Sequence, residues 1–411
     1  MRTVLIIIGN IIALLILIGA ANAQESSGYI YGTVTTYSTS YTGQIRWADE
    51  EAYWNDYFNA YKMGDEYYES ILSEKGDNKK DGDLWDDVDF FDFASIWENK
   101  HTSRHEFRTQ FGNIAALEPR SRGRVRLTLK NGQEIDLSGS GTNDVGTTVV
   151  VFDNELGDVK LPWDKIEKIE FAGAPRNFEP SGGGPLYGTV ETFRGSYTGY
   201  VQWDHDERLG NDILDGDNRD GDVKIAFKHI KSIESRGNSC KVVLNSGREF
   251  RLDGSNDVNS GNRGIIVTVP EIGKIDIPWK VFDRVEFEKT KNTRDAYNNY
   301  KAPKGLRGTV ETFRGEKFSG RIVYDVDEAW EVETLDGNDE SIEYKIPFDK
   351  IESITPKNSY YSMVQLRSGD RVLLGDSNDV NSSNKGIIIF VSGNREPVYI
   401  KWRDVESVSF D

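Results

Sequence analysis

The feature that most constrains this chain is a segment that it contains three times. Val242–Phe287 reads VVLNSGREFRLDGSNDVNSGNRGIIVTVPEIGKIDIPWKVFDRVEF. Its Gly-Ser-Asn-Asp-Val-Asn loop (Gly254 to Asn259) returns as Gly-Asp-Ser-Asn-Asp-Val-Asn at Gly375 to Asn381, and in altered form as Gly-Ser-Gly-Thr-Asn-Asp-Val at Gly139 to Val145. Its ending, Ile277, Pro278 and Trp279, returns as Leu161, Pro162 and Trp163 and as Ile400, Lys401 and Trp402. A unit copied in sequence carries the same apolar positions to each place, so the same local structure is expected each time.

The copies also share an opening. YIYGTVTTYSTSYTGQIRW (Tyr29 to Trp47) is echoed by LYGTVETFRGSYTGYVQWD (Leu186 to Asp204) and GLRGTVETFRGEKFSGRIVYD (Gly305 to Asp325). Apolar alternation around a short turn predicts strand, hairpin, strand, with the flanking glycines supplying positive φ or a bulge. Each repeat contains an inner duplication as well. IPFDKIESI (Ile346 to Ile354) closes the first half of the third copy, and LPWDKIEKIEF (Leu161 to Phe171) closes the second half of the first. The second copy carries both versions, IAFKHIKSIE (Ile225 to Glu234) and IPWKVFDRVEF (Ile277 to Phe287). Strand, tight turn and short final strand is how small five-stranded SH3-like barrels close. A half of about 55 residues is marginal alone, so two halves are expected to share a core. Trp163, Trp279, Trp402, Phe111, Phe227 and Phe348 are expected in that core, together with Cys240, the only cysteine.

The expected fold is therefore all-β: three tandem repeats, each of two SH3-like small β-barrel halves. Six modules of this size would also suit a six-bladed β-propeller. The division is a signal peptide at 1–23, repeat one at 24–174, a linker at 175–185, repeat two at 186–289, a linker at 290–304 and repeat three at 305–411. The repeat offset is 156 residues from Gly32 to Gly188 but 120 from Gly188 to Gly308, which places an insertion in the first copy.

That insertion, 49–99, holds 16 Asp or Glu against 4 Lys, a net of −12 out of −18 for the chain. Such a polyanion is a poor ligand for nucleic acid, whose binding depends on Lys and Arg displacing counterions, and suits a basic partner surface or cations. Tyr53, Tyr57 and Tyr61 recur at i, i+4 and i+8, joined by Trp54 and Phe58, and the spacing predicts an α-helix. With Trp85 and Trp97 these rings are the candidate partner surface; the alternative is that they pack onto the β core.

Asn256, Asp257 and Asn259, with Asn378, Asp379 and Asn381, place oxygen atoms a few residues apart and are candidate calcium ligands. Asn and Asp also close turns by bonding their own backbone, which explains the same loops without an ion. The acidic hairpins Gly76 to Asp83 and Leu214 to Asp222 break the alternation that an EF-hand loop requires and read as Asp-Gly turns. His101 and His105 stand four apart beside Glu106, a pair without a third ligand.

At the N-terminus, Arg2 precedes an apolar run from Val4 to Ala21 and the small-residue site Ala21-Asn22-Ala23. This is the pattern of a secretory signal peptide cut after Ala23, the alternative being an uncleaved anchor. The expectation is an exported protein, periplasmic, cell-surface or extracellular, with no transmembrane segment after cleavage. Its expected function is non-catalytic binding or scaffolding toward a protein or surface partner. A glycan-binding module or glycan-directed hydrolase, either of them calcium-dependent in one version, is the competing reading.

Overall fold

The structure, a computed structural model, describes residues 28–48, 50–62, 105–139, 142, 144–289, 296–393 and 396–411. The signal peptide, Trp85, Trp97, His101 and the Gly76 to Asp83 hairpin lie outside these residues. The described chain is all-β: its strand pairs are antiparallel, and its helical segments are three-residue 3₁₀ turns.

The first repeat shows the wiring most plainly. Its strands are β1 (Tyr31–Thr36), β2 (Ser40–Trp47), β3 (Tyr57–Lys62), β4 (His105–Gln110), β5 (Ile114–Ser121), β6 (Arg124–Leu129), β7 (Glu134–Ser138), β8 (Val149–Asp153), β9 (Gly157–Leu161) and β10 (Ile166–Phe171). They lie side by side in the order β4-β3-β7-β6-β5-β10-β1-β2-β8-β9. Read outward from the central β5–β10 pair, the two sides match. Each central strand is preceded by a 3₁₀ turn, Phe111–Asn113 before β5 and Trp163–Lys165 before β10, and that turn follows the outermost strand of its own side. The sides are not consecutive in sequence, because β3 to β7 are inserted whole between β2 and β8. The sheet is open, ending at β4 and β9, and is not closed into barrels.

The second and third repeats reuse these registers. Gly32 faces Gly43 across the first hairpin, as Gly188 faces Gly199 and Gly308 faces Gly320. First and last strands of each repeat pair through Gly32 and Phe171, Gly188 and Phe287, and Gly308 and Phe410. These six glycines lie within paired strands and do not have positive φ, whereas Gly315 in the third hairpin turn does, at 81°. They serve close approach: a Cβ on Gly188 would stand 2.2 Å from the carbonyl oxygen of Glu286, and on Gly308 2.0 Å from that of Ser409. The second and third repeats merge into one 18-stranded sheet, because Gly273–Ile277 pairs with Ile342–Pro347, while the hairpin of Ile213–Asn218 and Gly221–Ala226 forms a two-stranded sheet of its own.

The helix expected over Tyr53 to Tyr61 is overturned, since Tyr57–Lys62 is the strand β3. A spacing of four is two periods of a strand as well as about one turn of a helix, so the tyrosine pattern does not separate the two. Lys62 and His105 form the last rung of the β3–β4 hairpin, where the third repeat turns tightly between Asp339 and Ile342.

One core cluster serves the first repeat and a second runs through the other two, with the six closure aromatics and Cys240 buried. Burial pushes the Cys240 thiol up to about 12, where it behaves as a small apolar side chain.

Candidate functional site

In each repeat the chain leaves its second strand through one loop, and the three loops make matching contacts. Trp47 Nε1, Trp203 Nε1 and Tyr324 Oη donate to the carbonyls of Asp144, Asp257 and Asp379 at 3.0, 3.0 and 2.7 Å. The carboxylates of the same three aspartates accept the backbone N–H of Asn59, Asp215 and Asp336 at 2.6, 2.7 and 2.6 Å. Nine residues beyond each aromatic, Asp56, Asp212 and Glu333 cap their own loops, each accepting two backbone N–H groups at 2.7 to 3.0 Å.

Against each Asp-Val loop stands a Glu four residues after the aromatic: Glu51, Glu207 and Glu328. Burial, and then the neighbouring Asp144, Asp257 or Asp379, push these carboxyls upward, Glu207 to about 9. The Oε2 of each is buried without a hydrogen-bond partner among the described residues. Burial beside another carboxyl thus favours the neutral acid form at all three, and at Glu51 and Glu328 it outweighs the pull of Lys274 and Lys62.

These loops were the candidate calcium sites, and their polar groups take part in turn and capping hydrogen bonds, as the turn reading has it. Asp257 and Asp379 each accept a backbone N–H at Oδ2 and an aromatic donor at the main-chain carbonyl. Asn259 Oδ1 accepts the N–H of Gly261 and Asn381 Oδ1 that of Ser383, both at 2.7 Å, while the Asn256 amide donates to Asp204. Asn378 opens the second 3₁₀ turn, Asn378–Val380. Among the described residues no three His, Cys, Asp or Glu side chains converge as metal ligands. His105 lies between repeats, with Nδ1 3.1 Å from Asp327 and Nε2 2.8 Å from the Lys385 amine.

The candidate partner surface divides. Tyr53, Trp54, Tyr57 and Phe58 are buried and Tyr61 is half-buried. Trp54 packs on the linker residue Tyr297, ring centroids 4.5 Å apart. Exposing one such ring would cost an upper bound of about 5 kcal/mol, so these four are framework, as the packing alternative has it.

Three of the exposed rings recur, and the sequence reading passed over them. Tyr37, Phe193 and Phe313 are 73%, 69% and 65% exposed, and all three occupy the same tip of the first hairpin in their repeats. Each stands three residues after an inward valine, Val34, Val190 or Val310, an odd step that turns it to the other face. That parity was the available signal. Beside the first tip a hollow of about 410 Å³ is lined by Tyr41, Thr42, Asp153 and Glu155.

The repeats also meet one another. Arg46 forks onto Asp212 at 2.9 and 3.1 Å, and buried Arg208 pairs with buried Asp56, joining repeats one and two. Lys62 reaches Asp327 at 2.9 Å and also Glu333, joining one and three. Burial opposes the charge on Asp327, but Lys62 and His105 outweigh it and hold the carboxyl at about 2. Tyr197 and Tyr344 hydroxyls meet at 2.7 Å between two and three. At the junction of all three, with the second linker, lies a cavity of about 440 Å³.

No family model matches the chain, and no curated protein does. Among solved structures it is similar to a streptogramin B lyase structure at 12% identity and a TM-score of 0.13, over 73% of this chain and 94% of that one, a likeness too slight to carry an argument. Among the described residues no helix is long and apolar enough to cross a membrane.

Proposed function

We propose that this is an exported, non-catalytic binding or scaffolding protein of the cell envelope or extracellular space, holding a protein or surface partner through three equivalent hairpin tips. The observation that supports this reading is the exposure of Tyr37, Phe193 and Phe313 at one place in three repeats, where the closure aromatics are buried in each. An exposed ring that no fold requires, kept in triplicate on one body, suits a multivalent contact in which weak sites add through effective concentration.

The architecture that goes with it is three domains, 24–174, 186–289 and 305–411, each of two interlaced SH3-like units. The outward strand order, alike on both sides of the central pair, favours this over propeller blades. Export rests on the leader at 1–23.

A glycan partner is the second reading, and a specific feature favours it. On the same hairpins exposed hydroxyl pairs cross the strands, Thr33 with Thr42, Thr189 with Thr198 and Thr309 with Ser319, at 2.8, 2.8 and 2.7 Å. Rings and hydroxyls side by side suit the apolar faces and hydroxyl edges of sugars.

The test is retention of the mature chain on cell-wall and membrane fractions of the producing cell and on insoluble polysaccharide. Each of Tyr37→Ser, Phe193→Ser and Phe313→Ser should leave melting unchanged and weaken retention modestly. The triple variant should lose about 100-fold in apparent affinity. Retention of the triple variant equal to that of the parent would sink the proposal, and which matrix retains the parent separates the two partners.

A further inference from the structure

The second and third repeats are joined by an edge-to-edge strand pairing, and the molecule carries both halves of that join a second time. In the join, Lys274, Ile275 and Asp276 face Lys345, Tyr344 and Glu343. The counterpart of Gly273–Ile277 in repeat one is β9: Gly157 and Leu161 face Asp153 and Val149 as Gly273 and Ile277 face Val269 and Ile265. The counterpart of Ile342–Pro347 in repeat two is Gly221–Ala226, whose ends face Asn218 and Ile213 as Ile342 and Pro347 face Asp339 and Thr334. Among the described residues β9 pairs only with β8, and Gly221–Ala226 only with Ile213–Asn218.

Both edges are open. A Cβ on Gly273 would stand 2.4 Å from the Lys345 carbonyl oxygen, whereas one on Gly157 or Gly221 would meet nothing within 4 Å. Ile275 and Tyr344 are 0% and 4% exposed, while Val159 and Val223 at the corresponding places are only half-buried. A neighbouring strand would finish covering these two valines, as it covers Ile275 and Tyr344 at the join.

The two edges also match in charge. Placed in the register of the join, Asp158 would face Lys224, Val159 would face Val223 and Lys160 would face Asp222. Opposite charges across an antiparallel pair favour it, and like charges oppose it. The join itself sets Lys274 against Lys345 and Asp276 against Glu343, and holds with both strands in one chain, at high effective concentration. Two separate chains lack that advantage, and here two ion pairs flank the apolar rung. Asp222 also faces Asp217 across its own hairpin, so a lysine arriving from outside meets two carboxylates. Lys224 rests on Asp215 at 3.1 Å, both of them exposed, a surface pair worth little and easily exchanged. We propose that a second copy of this chain docks here, β9 of one molecule adding to the Gly221–Ala226 edge of the next as an antiparallel strand. The other edges of these two kinds are less suited. In repeat three Val398–Ile400 is only three residues long and follows Pro397, which has no N–H to give to a ladder. In repeat one β4 already meets repeat three through Arg108 and Asp336. Because the two docking edges lie on different repeats, the contact runs head to tail and leaves an edge of each kind for a further copy.

The experiment is analytical sedimentation of the mature chain at concentrations up to about 1 mM, the scale on which a contact of a few rungs acts. Weight-average mass should rise with concentration, and less steeply in about 1 M salt. Exchanging the charges of one edge, Asp158→Lys with Lys160→Asp, or of the other, Asp222→Lys with Lys224→Asp, sets like charge against like. Each exchange keeps the net charge and alters exposed side chains, so melting should stay within a few degrees of the parent while association weakens about tenfold or more. Mixing the two exchanged proteins matches every pair again and should restore association. The triple hairpin-tip variant should associate as the parent does, which separates this contact from the hairpin reading. The mass of one chain at every concentration would overturn the proposal; so would association that neither exchange weakens, or that mixing fails to restore.

Discussion

At the residue scale, the three buried glutamates set how the molecule responds to pH. A carboxyl whose folded pKa is raised contributes stability that is fully present below its unfolded value, near 4.5, and is lost as pH rises through the folded one. For Glu207 that window runs from about 4.5 to about 9. Glu51 and Glu328 shift in the same direction for the same cause, burial beside an aspartate. Asp327 acts oppositely: held at about 2, it supports the fold above the ordinary carboxylate range and withdraws that support in strong acid. Melting temperature should therefore be highest in mild acid and fall toward pH 9. Glu207→Gln keeps the shape without the titration, so it should match the parent at pH 5 and exceed it by about 1–3 kcal/mol at pH 8.5. Equal melting of variant and parent at both pH values would contradict the assigned neutral form. None of this was readable in sequence: Glu207 is one acid among 68, and only the fold brings it to Asp257.

At the element scale, the sequence carried the strands, the closure aromatics and the turns, because alternation and Asp-Gly or Asn-Asp signals act over a few residues. It misassigned Tyr57–Lys62, where a four-residue spacing fits two periods at once. It could not show that β3 to β7 interrupt one side of the sheet, because that is a matter of long-range pairing. The framework role of β3 and β4 leads to a deletion test. Lys62 and His105 already face each other across the hairpin, so replacing residues 63–104 with Asn-Gly, a two-residue turn suited to the strand twist, should leave the β core intact. Near-UV circular dichroism should keep its aromatic signature, with a melting temperature within a few degrees of the parent. Loss of that signature would show that the core draws on the excised segment.

At the scale of the whole molecule, ion pairs fasten repeat one to each of the others. Lys62 is the most loaded of these. Burial works against its charge, but Asp327, Glu333 and Glu328 surround it and hold it protonated. Lys62→Met leaves these carboxyls without their cation in a buried site, and removing one partner of such a set costs about 3–5 kcal/mol. The loss should be largest near pH 8 and shrink near pH 5, where the carboxyls take up protons. A loss independent of pH would point to packing of the lysine stem as its main contribution.

In each repeat the opening strand lies against the closing one, Gly32 beside Phe171, Gly188 beside Phe287 and Gly308 beside Phe410. The polypeptide thus enters and leaves every module at a single doorway, like a cord passing through a bead. Duplicating or removing a module need not reroute the cord through any other, which gives such a chain an easy path to growing by copies of itself.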